Sequence, residues 1–328
     1  MENYGFRRPI DDDLGVNSIE YSTTELLSKL LEDWKIRGKK EDIEDASKIL
    51  SLLKNNEDAS LSFYTNSLFG TMNNKNDLAS NISLEETFEK SIGFHVDLSG
   101  SHTTRRLEAK QEFDYQYRIC INNSSDISYS DIILFTMKFE QLCKERNLPL
   151  NIKVIPDERD VFICYCKEEY LSSYVQILSD MESNKVEKEI NLITKKFGRK
   201  KPFTSSISDS SYFGISSGLF KNETTSVMKG TMSVGDTMTG YSARLSEKAY
   251  NALLKKYNSD ITKITVEDFY IEMHKEHIRR QFPDKVVKSK FFGKEIIPSE
   301  LLDIPFWMNE HAYNMVYNSN LKLGARSR

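Results

Sequence analysis

The chain has 328 residues, 39% of them hydrophobic, and Lys+Arg 45 against Asp+Glu 49 leaves a formal net charge of -4. At roughly 100–200 residues per domain that length suits one large domain or two small ones. The charge balance argues against a general nucleic-acid binder, which needs a strong basic excess. No apolar run reaches the roughly 18 residues of a membrane span, and the opening "MENYGFRRPIDDDLG" has no apolar signal core.

The first predicted element is a helix over "STTELLSKLLEDWKI". Ser22 and Glu25 have the spacing of a capping box, and Leu26, Leu27, Leu30, Leu31 and Trp34 recur at helical intervals. A second amphipathic helix is predicted from about Glu41 to Lys54, carried by Ile43, Ala46, Ile49, Leu50 and Leu53. Residues 73–81, "NNKNDLASN", read as a polar surface loop.

The middle of the chain alternates strand and helix. "YRICIN" has the period of a half-buried strand, with Tyr117, Ile119 and Ile121 on one face and Arg118, Cys120 and Asn122 on the other. A long amphipathic helix, "SYSDIILFTMKFEQLCKER", follows, and "LPLNIKVI" and "DVFICYC" are strands. Only Pro156–Arg159 separates those two, so they are expected to form an antiparallel hairpin. "EEYLSSYVQILSDMES" is a helix, and the stretch Asn184–Thr194 is read as its extension. A basic cluster comes next, Lys195, Lys196, Arg199, Lys200 and Lys201. From Pro202 to Gly240 the chain is rich in Ser, Thr and Gly and reads as a long loop, a length usually functional or disordered. "SARLSEKAYNALLKKY" and "TVEDFYIEMHKEHIRRQF" are helices, and "PFWMNEHAYNMVY" is expected to dock through Phe306, Trp307 and Tyr313.

These elements predict an α+β fold: a mainly antiparallel central sheet flanked by helices, with a helical N-terminal section. The expected divisions are residues 1–95, 96–284 and 285–328. Cys120, Cys143, Cys164 and Cys166 form no metal spacing and read as buried free thiols in a reducing, cytoplasmic setting.

The sequence has no phosphate-binding Gly-rich loop, dinucleotide fingerprint or nucleophile elbow. His274 and His277 lack the order of a zinc-protease motif and are expected on a solvated helix face. Cations recur within or beside strands: Arg118, Lys153 in "NIKVI", and Arg159 ahead of "DVFICY". Arg244 follows the Ser-rich loop. A Lys inside an apolar strand is costly to bury unless paired or functional, and Arg suits carboxylate or phosphate through its planar fork. Spacing alone leaves two readings open, solvated or acid-paired cations and a shared anion site.

The order "YRICIN", helix, "NIKVI", "RDVFICY", "KPFT" and "GYSARLSEKAYNAL" resembles the Hrp-outer-protein A type of type III effector domain. That domain also serves as the lyase component of some lanthipeptide and thioamitide pathways. The likeness covers roughly residues 110–255. It is more distantly similar to the phosphothreonine lyase effectors of enteric pathogens and to the lyase domains of lanthipeptide synthetases.

The resemblance implies β-elimination of phosphate from phosphothreonine or phosphoserine in a peptide, with no metal or organic cofactor. It further implies a phosphorylated peptide substrate and a separate partner kinase, while charge balance and hydropathy predict no nucleic-acid or membrane partner. Lys153 matches the strand lysine that removes the α-proton. Arg159 and Arg244 match phosphate-holding arginines, and Tyr165 the tyrosine that closes the strand. Arg118 and Asn122 match the effectors' Arg-Ile-x-x-Asn pattern, which implies phosphate or substrate contacts.

The chemistry suits those residue types. An unperturbed Lys has a pKa of roughly 10.4, and burial beside Arg118 and Arg159 would lower it towards a usable base. In the enteric lyases the place of Arg118 holds the histidine acid, and Arg does not donate a proton at pH 7. The general acid is therefore left open among His95, His102 and Tyr165, or phosphate leaves with electrostatic help alone. Two alternatives accompany the lyase: a non-catalytic phosphopeptide or leader-peptide binding module, and a secreted effector acting on host signalling proteins.

Overall fold

The computed structural model of the chain describes residues 21–55, 94–96, 116–149, 152–154, 160–183, 185–206, 211–218, 238–288 and 295–317. Helix α1 (Thr23–Asp33) starts at the capping box. The Glu25 carboxylate takes the Ser22 N–H at 2.8 Å, and the Ser22 hydroxyl accepts from the Glu25 N–H. The helix runs through one π turn (Trp34–Gly38) directly into α2 (Lys39–Lys54). Glycine is required in that turn, because a Cβ on Gly38 would lie 2.7 Å from the Trp34 ring.

The inward row of α2 is Asp42, Asp45, Ala46, Ile49, Leu50 and Leu53, so two carboxylates continue the apolar stripe. Ile43, expected inside, is 38% exposed. Asp42 is tolerated there because Trp34 Nε1 donates to its carboxylate at 2.7 Å.

The sheet has five strands in the order β1-β3-β4-β2-β5: β1 (Phe94–Val96), β2 (Tyr117–Asn122), β3 (Ile152–Val154), β4 (Asp160–Cys166) and β5 (Phe213–Ser217). Only the β1–β3 pair is parallel. The predicted hairpin is present as the antiparallel β3–β4 pair. Tyr117, Ile119 and Ile121 face the main core together with Cys164, Cys166, Phe213 and Ile215. Three helices build that core with them: α3 (Tyr129–Glu145), α4 (Leu171–Glu182) and α5 (Lys188–Thr194). Phe135 and Phe139 of α3 meet the Phe162 ring edge-on at 5.4 and 5.2 Å, an arrangement favoured by the aromatic quadrupole. All four cysteines are buried free thiols.

A second core joins α2 to α6 (Met238–Lys256) and α7 (Val266–Gln281), closed by Phe203 and Phe306. Phe306 belongs to this core and Trp307 to the first, so one dipeptide ties the two together. Tyr313, in the helix over residues 310–317, packs against the first core. The architecture is α+β, with a helical N-terminal section sharing both cores.

Three expectations need correction. Residues 184–194 do not extend α4: the Asn191 side-chain amide takes the Glu182 carbonyl and Lys185 N–H reaches the Asp180 carbonyl at 3.2 Å, ending the helix. The Ser-rich stretch contains β5, which the low hydrophobicity of "FGISS" conceals. His274 and His277 are buried in the second core, not solvated. Tyr241 Oη lies 2.7 Å from His277 Nδ1, and His274 Nε2 lies 3.2 Å from the Ile304 carbonyl. Burial lowers the pKa of both histidines, that of His274 to about 4.

Two opposed pH dependences follow. Burial pushes the Asp42 carboxyl up from 3.8 to about 7, so the folded chain keeps a proton that the unfolded chain releases. Stability from this group is present below pH 3.8 and is lost as pH rises to about 7. Asp42→Asn, which keeps the acceptor for Trp34, should therefore raise stability at pH 8, by on the order of 1–4 kcal/mol, and change it little at pH 4. Urea unfolding at the two pH values measures this. His274 has the other sign: its contribution is present above pH 6.5 and is lost as pH falls to about 4.

Candidate functional site

The second face of the sheet carries the polar residues of "YRICIN". Directly opposed residues on neighbouring strands share a face, so the register defines two rows. One is Tyr165–Arg118–Ser216 across β4, β2 and β5. The next is His95–Lys153–Ile163–Cys120–Gly214, across all five strands. The backbone positions of Arg118 and Lys153 are thus two strand spacings and one two-residue step apart, about 12 Å.

Arg118 is 8% exposed, and its guanidinium stands over the Tyr165 ring, with Cζ 5.3 Å from the centroid. The cross-strand pairing of these residues produces the stack, which holds the planar fork in one orientation. Among the described residues no carboxylate forms an ion pair with Arg118. A buried guanidinium is stabilised by a neighbouring negative charge.

Asn122 closes the far end of the face, next to an irregularity between Ile121 and Asn122. Its Nδ2 donates to the Arg199 carbonyl at 2.7 Å, while its buried Oδ1 has no hydrogen-bond partner among the described residues. The expected phosphate contact would need a donor, and one of the two Nδ2 hydrogens is given to Arg199. The remaining acceptor suits an N–H group.

Lys153 and His95 are fixed in the shared row by backbone pairing. Arg244 lies in α6, part of the helical layer of the second core and not of the sheet. His102 and Arg159 fall outside the described residues. Among the described residues, no group of three or more His, Cys, Asp or Glu is arranged to hold a metal ion.

Sequence reasoning did not foresee the segment 199–206 that crosses this face. It is anchored at Asn122 through the Arg199 carbonyl, and at β5 through hydrogen bonds of 2.9 and 2.6 Å between Ser205 and Ile215. Between these points Thr204 lies over Gly214, where a Cβ would come 2.1 Å from the Thr204 hydroxyl. Phe203, at φ 57°, turns the chain so that its ring enters the second core. Lys201, in the same turn, is 3% exposed. The only signals were the basic cluster and the "KPFT" motif, neither of which locates the segment in space.

Comparison of the chain with protein-family models, with curated proteins and with solved structures gave no match. No helix among the described residues is long and apolar enough to cross a membrane.

Inorganic phosphate should stabilise the native chain against heat, by about 1.4 kcal/mol at tenfold excess over its Kd. Arg118→Met removes the buried charge, and its melting temperature should not respond to phosphate. Differential scanning fluorimetry across a phosphate titration, with chloride at matched ionic strength, measures both.

Proposed function

We propose that the protein is a phosphothreonine or phosphoserine lyase that converts phosphorylated peptide side chains to dehydroamino acids. The observation that supports it best is the nearly buried Arg118, stacked on Tyr165 and sharing a sheet face with Lys153. In this reading Arg118 binds the phosphate, and the Lys153 amine takes the α-proton. The electrons of the Cα–H bond form the Cα=Cβ bond as the Cβ–O bond breaks, and its pair leaves on phosphate. Arg suits a dianionic leaving group because it stays charged throughout. Arg159 and Arg244 are proposed as further phosphate contacts, and the leaving-group proton falls to His95, His102 or Tyr165. A kinase has to install the phosphoryl group first, which fits ribosomal-peptide maturation in the cytoplasm.

A second reading is a non-catalytic module that binds phosphopeptide or leader peptide. It is favoured by Arg118 standing where the enteric lyases carry their histidine acid.

Incubation with a phosphothreonine peptide separates the two. The lyase releases inorganic phosphate and leaves a peptide lighter by the mass of phosphoric acid. Lys153→Ala should lower turnover at least a thousandfold, within the range of acid–base and positioning effects, with phosphopeptide affinity retained. Binding without elimination by the native chain, on a cognate peptide, would rule out the lyase and support the module.

A further inference from the structure

The π turn and α2 hold the segment 199–206 by contacts separate from those of the sheet. Asp45, 0% exposed, accepts both terminal nitrogens of Arg199, Nη1 at 2.8 Å and Nη2 at 3.3 Å. One turn earlier, Glu41 holds Lys200 Nζ at 3.0 Å, and the same ammonium donates to the Thr204 carbonyl at 2.9 Å. From the π turn, Arg37 Nη2 donates to the Ser206 carbonyl at 3.0 Å. The segment is therefore gripped at Arg199, Lys200 and Ser206 by the helices, and at Arg199 and Ser205 by the sheet. Lys48 also approaches Asp45, at 3.5 Å.

A bidentate Arg–carboxylate pair fixes orientation as well as distance, and removing one partner of a buried pair is far more disruptive than removing an exposed one. Asp45 and Glu41 are on α2, outside the region that resembles the lyases, and neither lies on the Arg118 face. Their geometry gives them a task at that face nonetheless, since the segment they hold spans it from Asn122 to Gly214.

We propose that α1 and α2 form a positioning clamp, in which Asp45 and Glu41 hold residues 199–206 as a fixed wall of the phosphopeptide site beside Arg118. The positioning half rests on the lyase reading; the clamp itself does not. Asp45 and Glu41 touch no substrate and act through the wall.

The test uses the full chain and two readouts. Trypsin can cut after Arg199 and Lys200, and Pro202 protects the following bond. In the native chain these bonds should resist cleavage. In Asp45→Asn, and to a lesser extent in Glu41→Gln, cleavage there should speed up at least tenfold, with circular dichroism unchanged before protease is added. Glu41 is partly exposed, so Glu41→Gln carries the test should the Asp45 variant not fold.

With a phosphothreonine peptide, the same variants should show KM raised about tenfold and kcat near the native value. Arg199→Lys, which retains one donor to Asp45, should recover part of the native KM relative to Arg199→Gln. Native-like protease resistance in both carboxylate variants would refute the clamp. Faster cleavage with unchanged KM would refute its positioning role. If the native chain eliminates no phosphate, the lyase reading fails, and cleavage still decides the clamp.

Discussion

A buried guanidinium held against an aromatic ring by cross-strand pairing is the interaction on which the polar face of the sheet depends. Arg118 lies on β2, an interior strand next to the edge strand β5, and its guanidinium stands over the Tyr165 ring. An aromatic face stabilises the cation by about 0.5–2 kcal/mol, well short of the several kcal/mol that desolvating a charge requires. Placing the residue on an interior strand, with its neighbours Tyr117 and Ile119 locked in the apolar core, keeps it from swinging out to water.

The same face shows how backbone geometry and side-chain chemistry are coupled. Gly214 leaves the space that Thr204 fills, and the Asn122 amide holds the Arg199 carbonyl. Each of these contacts draws the segment 199–206 onto the sheet. The carboxylates of α2 hold the cations of that segment, so it is secured by hydrogen bonds to the sheet and ion pairs to the helix. Asp42 has a different part: burial raises its pKa, and its Trp34 hydrogen bond joins the π turn to the helix.

Much of the element order was legible in the sequence. The capping box at Ser22 and Glu25, the alternation of "YRICIN", the hairpin before "DVFICYC" and the long helix over "SYSDIILFTMKFEQLCKER" all rest on local rules, and all appear in the structure. Local rules failed where distant partners decide. "FGISS" is a strand because β2 pairs with it and Ser205 covers its other edge, although glycine and serine disfavour strands. His274 and His277 are buried because Phe306 and Tyr241 meet them from other parts of the chain. Asp42 and Asp45 are buried because Trp34 and Arg199 are placed against them.

The sequence by itself determined the α+β class, most helices and strands, and which face of "YRICIN" is apolar, because periodicity and capping act over a few residues. It also supplied the identities of the cations. Only the tertiary structure decided that Arg118 and Lys153 share a face, since strand order and register depend on pairings across the whole domain. The tertiary structure alone joined Asn122 to the Arg199 carbonyl, and Asp45 and Glu41 to Arg199 and Lys200. Those contacts join residues far apart in the chain, and no local pattern encodes them.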